Sequence, residues 1–391
     1  MSASWGGLEM NTVRMAAGLR DRGANLLFIA SPGSAAAAKA SAEGLKVLLF
    51  QRSSFIKLLC DAWVLAKLLR RRGPQILISV YNPDLPLVGW LRRFGKGKIR
   101  LVYQQHMQLT IKKRDPVHTF RYSAIDAWVA PLPYLKQQVI TNTRFPENRV
   151  HVIPIGLDLS ALKPPPGRYN TETRIAALPA SANMQQLKDA DKLAARKRLG
   201  LPPLGFIAGI LGRIDAQKGQ GLCIEAIALL NKAGHNAALL VMGEGTRNEQ
   251  EAAEYLDKIL ALPQALGIAG KVYFKPYQPN PSDFYNAIDV FLLASGAETY
   301  GMVTLEAMAA GVPVAGSHSG GTIDLLKGGE LGNLYIPGDA AGMANAILDI
   351  MLKPAAWQQK AGAARLWVFN NYGLQKMLGE MEKVFAELEG R

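Results

Sequence analysis

Cysteine is almost absent from this chain. Its 391 residues include two, Cys60 and Cys223, far apart and with no metal-type spacing beside either. That excludes a disulfide framework and a cysteine-based zinc site, and both thiols are expected to be buried in a reducing compartment. No apolar run reaches the ~18 residues of a membrane span, and no secretory leader opens the sequence, so a cytoplasmic protein is expected. Apart from His106, the histidines (His118, His151, His235 and His318) form no metal-ligand cluster. There is no G-x-G-x-x-G after a strand and no Walker A sequence, which disfavours a nicotinamide enzyme or a P-loop ATPase.

Acidic residues are scarce in one half only. Residues 1–165 carry 24 Lys and Arg against 9 Asp and Glu, whereas residues 166–391 carry 21 against 22, so the net charge of +14 lies entirely in the first half. Such asymmetry predicts an anionic partner for that half: membrane lipid, a phosphorylated acceptor or nucleic acid. Clusters at Arg70-Arg71-Arg72 and Lys112-Lys113-Arg114 strengthen the expectation. Nucleic acid ranks low, because the basic residues are not interleaved with stacking aromatics.

The length predicts two domains, and 49% hydrophobic with 19% charged residues suits a globular α/β protein. Short apolar runs alternate with helical patterns in both halves. In the first half strands are expected at 25–30, 46–50, 76–81, 100–104, 127–130 and 150–153, and in the second at 206–211, 237–242, 272–275, 290–294, 312–315 and 334–336. Near-continuous apolar strands joined by helices imply parallel sheets covered on both faces. Lys163-Pro-Pro-Pro166 cannot continue a helix or central strand and marks a boundary. The expected division is residues 1–163, a linker with an inserted segment at 164–204, a second domain at 205–372 and a final helix at 373–391. Only four residues precede Trp5-Gly6-Gly7-Leu8, which resembles a turn opening a helix, so the first domain is expected to lack its first strand. The wide apolar face of the 55–72 helix is expected to pack on the core, with its basic end available to anionic headgroups.

The most informative stretch is Glu298-Thr-Tyr-Gly-Met-Val-Thr-Leu-Glu306. A helix beginning near Gly301 has first amides without intrahelical partners, which form an anion site. Glu306, about one turn in, suits a ribose diol, and Glu298 reaches the other end of a ligand. Phosphate at the amides and hydroxyls at both carboxylates describe a nucleotide-sugar. Gly212-Arg213-Ile-Asp-Ala-Gln-Lys218-Gly219 places two cations at a strand-to-helix turn, suiting a diphosphate at the carboxyl end of a strand. Weaker candidates are Gly7, whose glycine pair permits close phosphate approach, His106 after the 100–104 strand, Glu244 in Gly243-Glu244-Gly245, and Tyr277 near the base. Asp189-Ala-Asp191 is read as a solvated helix face, and Ser319-Gly-Gly-Thr322 as shaping the pocket.

In combination these pieces resemble the retaining glycosyltransferases of GT-B fold, family 4 (group 1). The resemblance rests on Gly6-Gly7, His106, Val152-Ile-Pro-Ile-Gly-Leu-Asp158, Gly212-Arg213 with Lys218-Gly219, Glu298 to Val314, Gly329-Glu-Leu-Gly332 and Pro337-Gly-Asp339. It implies two Rossmann-like domains with parallel sheets facing a cleft, the donor held mainly by the second, and a last helix crossing back to the first. It implies Arg213 and Lys218 on the diphosphate, Glu306 on the ribose, Glu298 on the sugar hydroxyls and His106 at the reaction centre. The amides of Gly301, Met302, Val303, Thr304 and Leu305, with Gly7, complete the phosphate site, and no cofactor or metal is required. Ile155 departs from the asparagine usual in the hinge motif, which bears on domain coupling.

The expected activity is transfer of a hexose-type sugar, with retention, from a nucleotide-diphosphate-sugar to an anionic lipid-linked or cell-envelope glycan. It would take place in the cytoplasm or at the inner face of the membrane. The alternatives are a sugar-nucleotide epimerase of the same fold, which needs no acceptor, and a non-catalytic nucleotide-binding relative.

Overall fold

The computed structural model describes residues 6–53, 57–70, 73, 75–94, 99–159, 184–245, 250–278 and 280–390, without the side chains of 184–188 and 250–252. The chain divides into two compact units, Met1–Gly156 with Asn371–Arg391, and Leu157–Asn370.

The first unit runs α1 (Gly7–Asp21), β1 (Phe28–Ala30), α2 (Ala35–Ala42), β2 (Val47–Leu49), α3 (Leu58–Arg70), β3 (Ile76–Ser79), α4 (Leu85–Phe94), β4 (Arg100–Gln104), α5 (Pro116–Tyr122), β5 (Ala127–Ala130), α6 (Pro133–Asn142) and β6 (Val150–Val152). The second runs α7 (Met184–Leu199), β7 (Phe206–Leu211), α8 (Gln220–Lys232), β8 (Ala237–Met242), α9 (Gln250–Ala265), β9 (Val272–Lys275), α10 (Ser282–Ala287) and β10 (Val290–Leu293). It continues through α11 (Met302–Ala310), β11 (Val314–Ser317), α12 (Gly321–Leu325), β12 (Asn333–Tyr335), α13 (Ala340–Leu352) and α14 (Pro354–Asn371). The last helix, α15 (Leu374–Glu389), belongs to the first unit.

The second unit is a doubly wound sheet. Its six parallel strands lie in the order β12-β11-β10-β7-β8-β9, with β7 as the hub. Apolar runs such as Ala237–Met242 are buried on both faces, as a parallel sheet between helices requires. Asp289 anchors the start of β10. It accepts hydrogen bonds from the Ile207 amide (2.7 Å) and the Lys192 ammonium (2.6 Å), and from the buried Arg196 guanidinium (2.8 Å). Arg196 also caps the carbonyls of Ala287, Pro203 and Gly205. The part of the expected linker that forms α7 therefore belongs to this unit's framework; residues 164–183 of the expected linker lie outside the described residues.

The first unit has the same winding with its centre open. β3-β4-β5-β6 form one parallel sheet and β1-β2 another, and among the described residues no strand joins β1 to β3. A cavity of about 750 Å³ lies between them, lined by Phe28, Ile29, Ile76 and Ile78 from the two strands and by Met15 and Phe385 from the helices above. By topology this is the place that β7 holds in the second unit. Residues 1–5, to which the expectation of a missing strand refers, lie outside the described residues.

α15 packs on α1, burying Met377, Leu378 and Met381 with Met15 and Leu19, and Arg22, just past the first helix, pairs with Glu382 at 2.7 Å. The expected return of the last helix is seen. The thiols correct the sequence reading: Cys223 is buried, but Cys60 is exposed on α3.

Candidate functional site

The second unit gathers its candidate residues at the carboxyl ends of its strands. Beyond β7 and β8 the two chains stay paired, with the Gly212 amide donating to the Met242 carbonyl (3.0 Å) and the Ile214 amide to that of Glu244 (2.9 Å). Asp215 then caps a short turn, accepting from the amides of Gln217 (3.0 Å) and Lys218 (3.2 Å). Gly219 closes the turn at φ 74°, and a Cβ there would meet the Ala294 carbonyl oxygen at 2.6 Å. Only glycine lets the turn lie this close to the end of β10.

The turn delivers Lys218 to Glu298, Nζ to Oε2 at 3.0 Å. The Glu298 carbonyl accepts from the Gly321 amide at 2.9 Å, tying its loop to α12. Gly301, at φ 82°, starts α11 with its Cα hydrogen side against Glu298, where a Cβ would lie 3.4 Å from Glu298 Cγ. Lys218, Glu298 and the α11 N-terminus thus form one cluster from segments 80 residues apart.

The amides narrow the expectation. Those of Thr304 and Leu305 already donate to the Gly301 carbonyl (3.0 and 3.2 Å), so Met302 and Val303 are the first-turn amides without an intrahelical partner. Three buried hydroxyl oxygens near this end (Ser295, Thr304 and Thr322) have no partner among the described residues. Buried hydroxyls are normally bonded, so they mark a place suited to a polar ligand or water.

Glu306 accepts from the Tyr285 hydroxyl at 2.8 Å. Tyr285 is fully buried on α10, edge-on to Phe284 at 5.2 Å. Burial, then the Glu306 charge, raise its phenol well above the ordinary range, so it stays a proton donor to that carboxylate. Arg213 is mostly exposed and 3.6 Å from Asp215, close enough for a loose ion pair and not a fixed fork. Glu244 is exposed past β8, and Tyr277 half-exposed past β9.

Gly7 and His106 belong to the other unit. At α1 the Gly6 amide donates to Glu9 Oε2 at 2.9 Å, and Glu9 is buried. A carboxylate already caps the helix end that Gly7 was expected to offer to phosphate, and its charge opposes an anion there. His106 follows β4. Its neighbour Gln105 is held by Trp128 Nε1 (3.0 Å) and reaches the Met107 carbonyl (2.7 Å). The His106 Nε2 is buried without a partner among the described residues, and burial pushes its pKa down to about 4, so the ring is neutral near pH 7.

Sequence reasoning missed Asp215 and Tyr285. Asp215 carries an N-cap signal, Asp followed by a turn. Tyr285 carries none, since a tyrosine in Phe-Tyr-Asn-Ala reads as core. One cavity of this unit, about 440 Å³, is lined by Gln217, Gly219 and Tyr255 but by none of Arg213, Lys218, Glu298 or Glu306.

Residues 5–161 match the family described as Glycosyltransferase Family 4, and residues 191–366 that described as Glycosyl transferases group 1. A protein named D-inositol 3-phosphate glycosyltransferase from Acidothermus cellulolyticus is 32% identical over 180 residues, 44% of this chain and 40% of that one. A 2-deoxystreptamine glucosyltransferase from Streptomyces kanamyceticus is 32% identical over 188 residues, 47% of this chain and 46% of that one. The matches thus span less than half the length of these relatives. Among solved structures, Anabaena HepE in complex with UDP aligns with a TM-score of 0.82 at 18% identity, over 99% of this chain and 98% of that one. A glycosyltransferase from Rickettsia africae aligns with a TM-score of 0.82 at 18% identity, over 98% and 95%. These likenesses show the fold.

Proposed function

We propose that this chain, which belongs to the group 1, family 4 glycosyltransferases of GT-B fold, moves a hexose-type sugar from a nucleotide-diphosphate donor to an anionic acceptor with retention. The observation that carries the donor half is the Lys218–Glu298 pair at 3.0 Å beside the Gly301-headed helix. In this structure each group neutralises the other. A donor replaces that contact: its diphosphate takes Lys218, Arg213 and the Met302 and Val303 amides, while its sugar hydroxyls donate to Glu298. Glu306, oriented by Tyr285, takes the ribose hydroxyls.

As the sugar–phosphate bond breaks, negative charge grows on the diphosphate, and the cations and amides already in place stabilise it. That removes the need for a metal. No carboxylate is assigned as a covalent nucleophile, so the departing phosphate takes the acceptor proton on the face it leaves. His106, neutral and partly buried, is assigned to the acceptor side as a hydrogen-bonding group. The anionic acceptor is supported by the basic first half and by relatives named for inositol 3-phosphate. We place the reaction in the cytoplasm, at the membrane's inner face, on a lipid-linked or envelope glycan.

Thermal shift with UDP-, GDP- and ADP-sugars tests the donor half. The relatives with UDP in their structures make a UDP-sugar the first choice. A donor-selective rise in melting temperature, lost in Lys218→Ala and Glu298→Ala, is expected; the absence of any shift from a cooperatively melting protein refutes the site. Consumption of the sugar nucleotide without acceptor, as an epimerase would show, refutes the transfer.

A further inference from the structure

α3 is apolar on two sides. Ala62, Leu65, Ala66 and Leu69 face the core beneath it. Leu59, Trp63, Val64 and Leu68 form a second stripe at helical spacing that is exposed, Trp63 to 56%. One exposed leucine needs no explanation, but a stripe of four on one helix does. Lys67 lies over the Trp63 ring at 5.3 Å, and Lys57 is exposed just before the helix.

The stripe continues across the same helical layer. Arg70 of α3 donates to the Phe94 carbonyl of α4 (2.8 Å), Phe94 stacks on Trp90 at 6.1 Å, and Trp90 meets Phe120 of α5 at 5.6 Å. Arg93 lies over Phe120 at 3.9 Å. Around α5, Ile111 and Val117 are each 66% exposed, and they are interleaved with Lys112, Lys113, Arg114 and Arg121. Residues 57–70 and 107–122 together hold seven Lys and Arg against two Asp, one of which, Asp61, is buried and bonded to Ser53.

We infer that the outer face of α3, α4 and α5 docks on an anionic phospholipid bilayer, with Trp63, Leu68, Ile111 and Val117 entering the headgroup boundary and the surrounding cations meeting lipid phosphates. Exposed aliphatics with tryptophan, ringed by Lys and Arg, match that boundary in both polarity and charge. Among the described residues no helix is long and apolar enough to cross a membrane, so this is surface attachment. The inference rests on the membrane side of the proposed function and not on the donor site.

The test is sedimentation of the full chain with phosphatidylglycerol–phosphatidylcholine vesicles and with pure phosphatidylcholine vesicles. Capture by the anionic vesicles alone is expected, weakened by salt yet not abolished. The double variant Trp63→Ser, Leu68→Ser should lose about tenfold in partitioning, with melting temperature and donor-induced thermal shift unchanged. Ile111→Ser with Val117→Ser is the second variant should the first misfold. No capture of the wild type, or full capture of both variants, overturns the inference. So does displacement by heparin with the variants indistinguishable from wild type, which would mean charge alone. Self-association that the variants abolish without any effect on vesicles would assign the face to a second copy. A lost donor shift with vesicle capture intact would instead fail the donor site and leave this surface standing.

Discussion

The two units share one winding and differ at its centre. In the second, β7 lies between β8 and β10, and the strands around it are buried on both faces. In the first, β1 and β3 flank a cavity of about 750 Å³, and most of their residues are only partly buried, although β5 of the same sheet is fully buried. The hub strand does two things. It supplies ladder partners on both edges, and its carboxyl end launches the loop that carries Arg213 and Lys218. Among the described residues, the first unit has neither a paired hub at that place nor an equivalent cationic loop. Its helix start is capped by its own Glu9. The donor chemistry we propose therefore lies in the second unit, while the excess positive charge lies in the first half of the chain.

Substitutions at the hub loop should break this contrast most strongly. Glu298→Ala and Lys218→Ala should each lower turnover by roughly 10²–10³-fold, as for loss of a transition-state charge contact, with the fold intact by circular dichroism. Arg213→Ala, exposed and loosely paired, should cost less, by about tenfold or more. Amide exchange comes next. β1 and β3 should exchange at least ~100-fold faster than β7 and β8, since low burial and open edges favour local opening; equal protection would remove the contrast.

Gly209 tests the tightness of the second core. A Cβ there would lie 2.6 Å from Ile288 Cγ2 and 2.9 Å from Phe284 Cζ. Gly209→Val should destabilise this unit by about 3 kcal/mol in urea titration, with the first unit's transition unmoved. His106 gives the first unit an acid sensitivity. Its folded pKa, about 4, lies below the ordinary 6.5, so protons bind the unfolded chain more readily. The associated stability is complete above pH 6.5 and is lost as pH falls toward 4, by no more than about 3 kcal/mol. His106→Gln should flatten that slope. The smallest effect belongs to the exposed Arg22–Glu382 pair. The Arg22 hydrogen bond lowers the Glu382 pKa, so its contribution is present above the ordinary carboxylate pKa and fades as pH falls through the folded value. Arg22→Ala should leave the melting temperature nearly unchanged.

Much of the fold was legible because parallel strands are short apolar runs. Arg100–Gln104, Ala127–Ala130, Phe206–Leu211, Ala237–Met242 and Val272–Lys275 fall where the runs predict. β1 is shorter than its 25–30 run, and among the described residues it pairs with β2 alone. Arg196 escaped notice because a buried guanidinium is rare, and no local signal shows that it caps the carbonyls of Ala287, Pro203 and Gly205. The outward stripe of α3 is not distinguishable from core in the sequence, since apolar spacing on a helix does not say which side is covered. At the site, Glu298 and Glu306 stand out in sequence, but their partners Lys218 and Tyr285 are set by tertiary folding.

The most direct test is hydrogen exchange of the full chain with and without a UDP-sugar. Protection at 212–219 and 298–306, with 28–30 and 76–79 exchanging as before, is the expected result. A bound donor that leaves 298–306 unprotected, or protects only the first unit, would place the nucleotide-sugar site elsewhere.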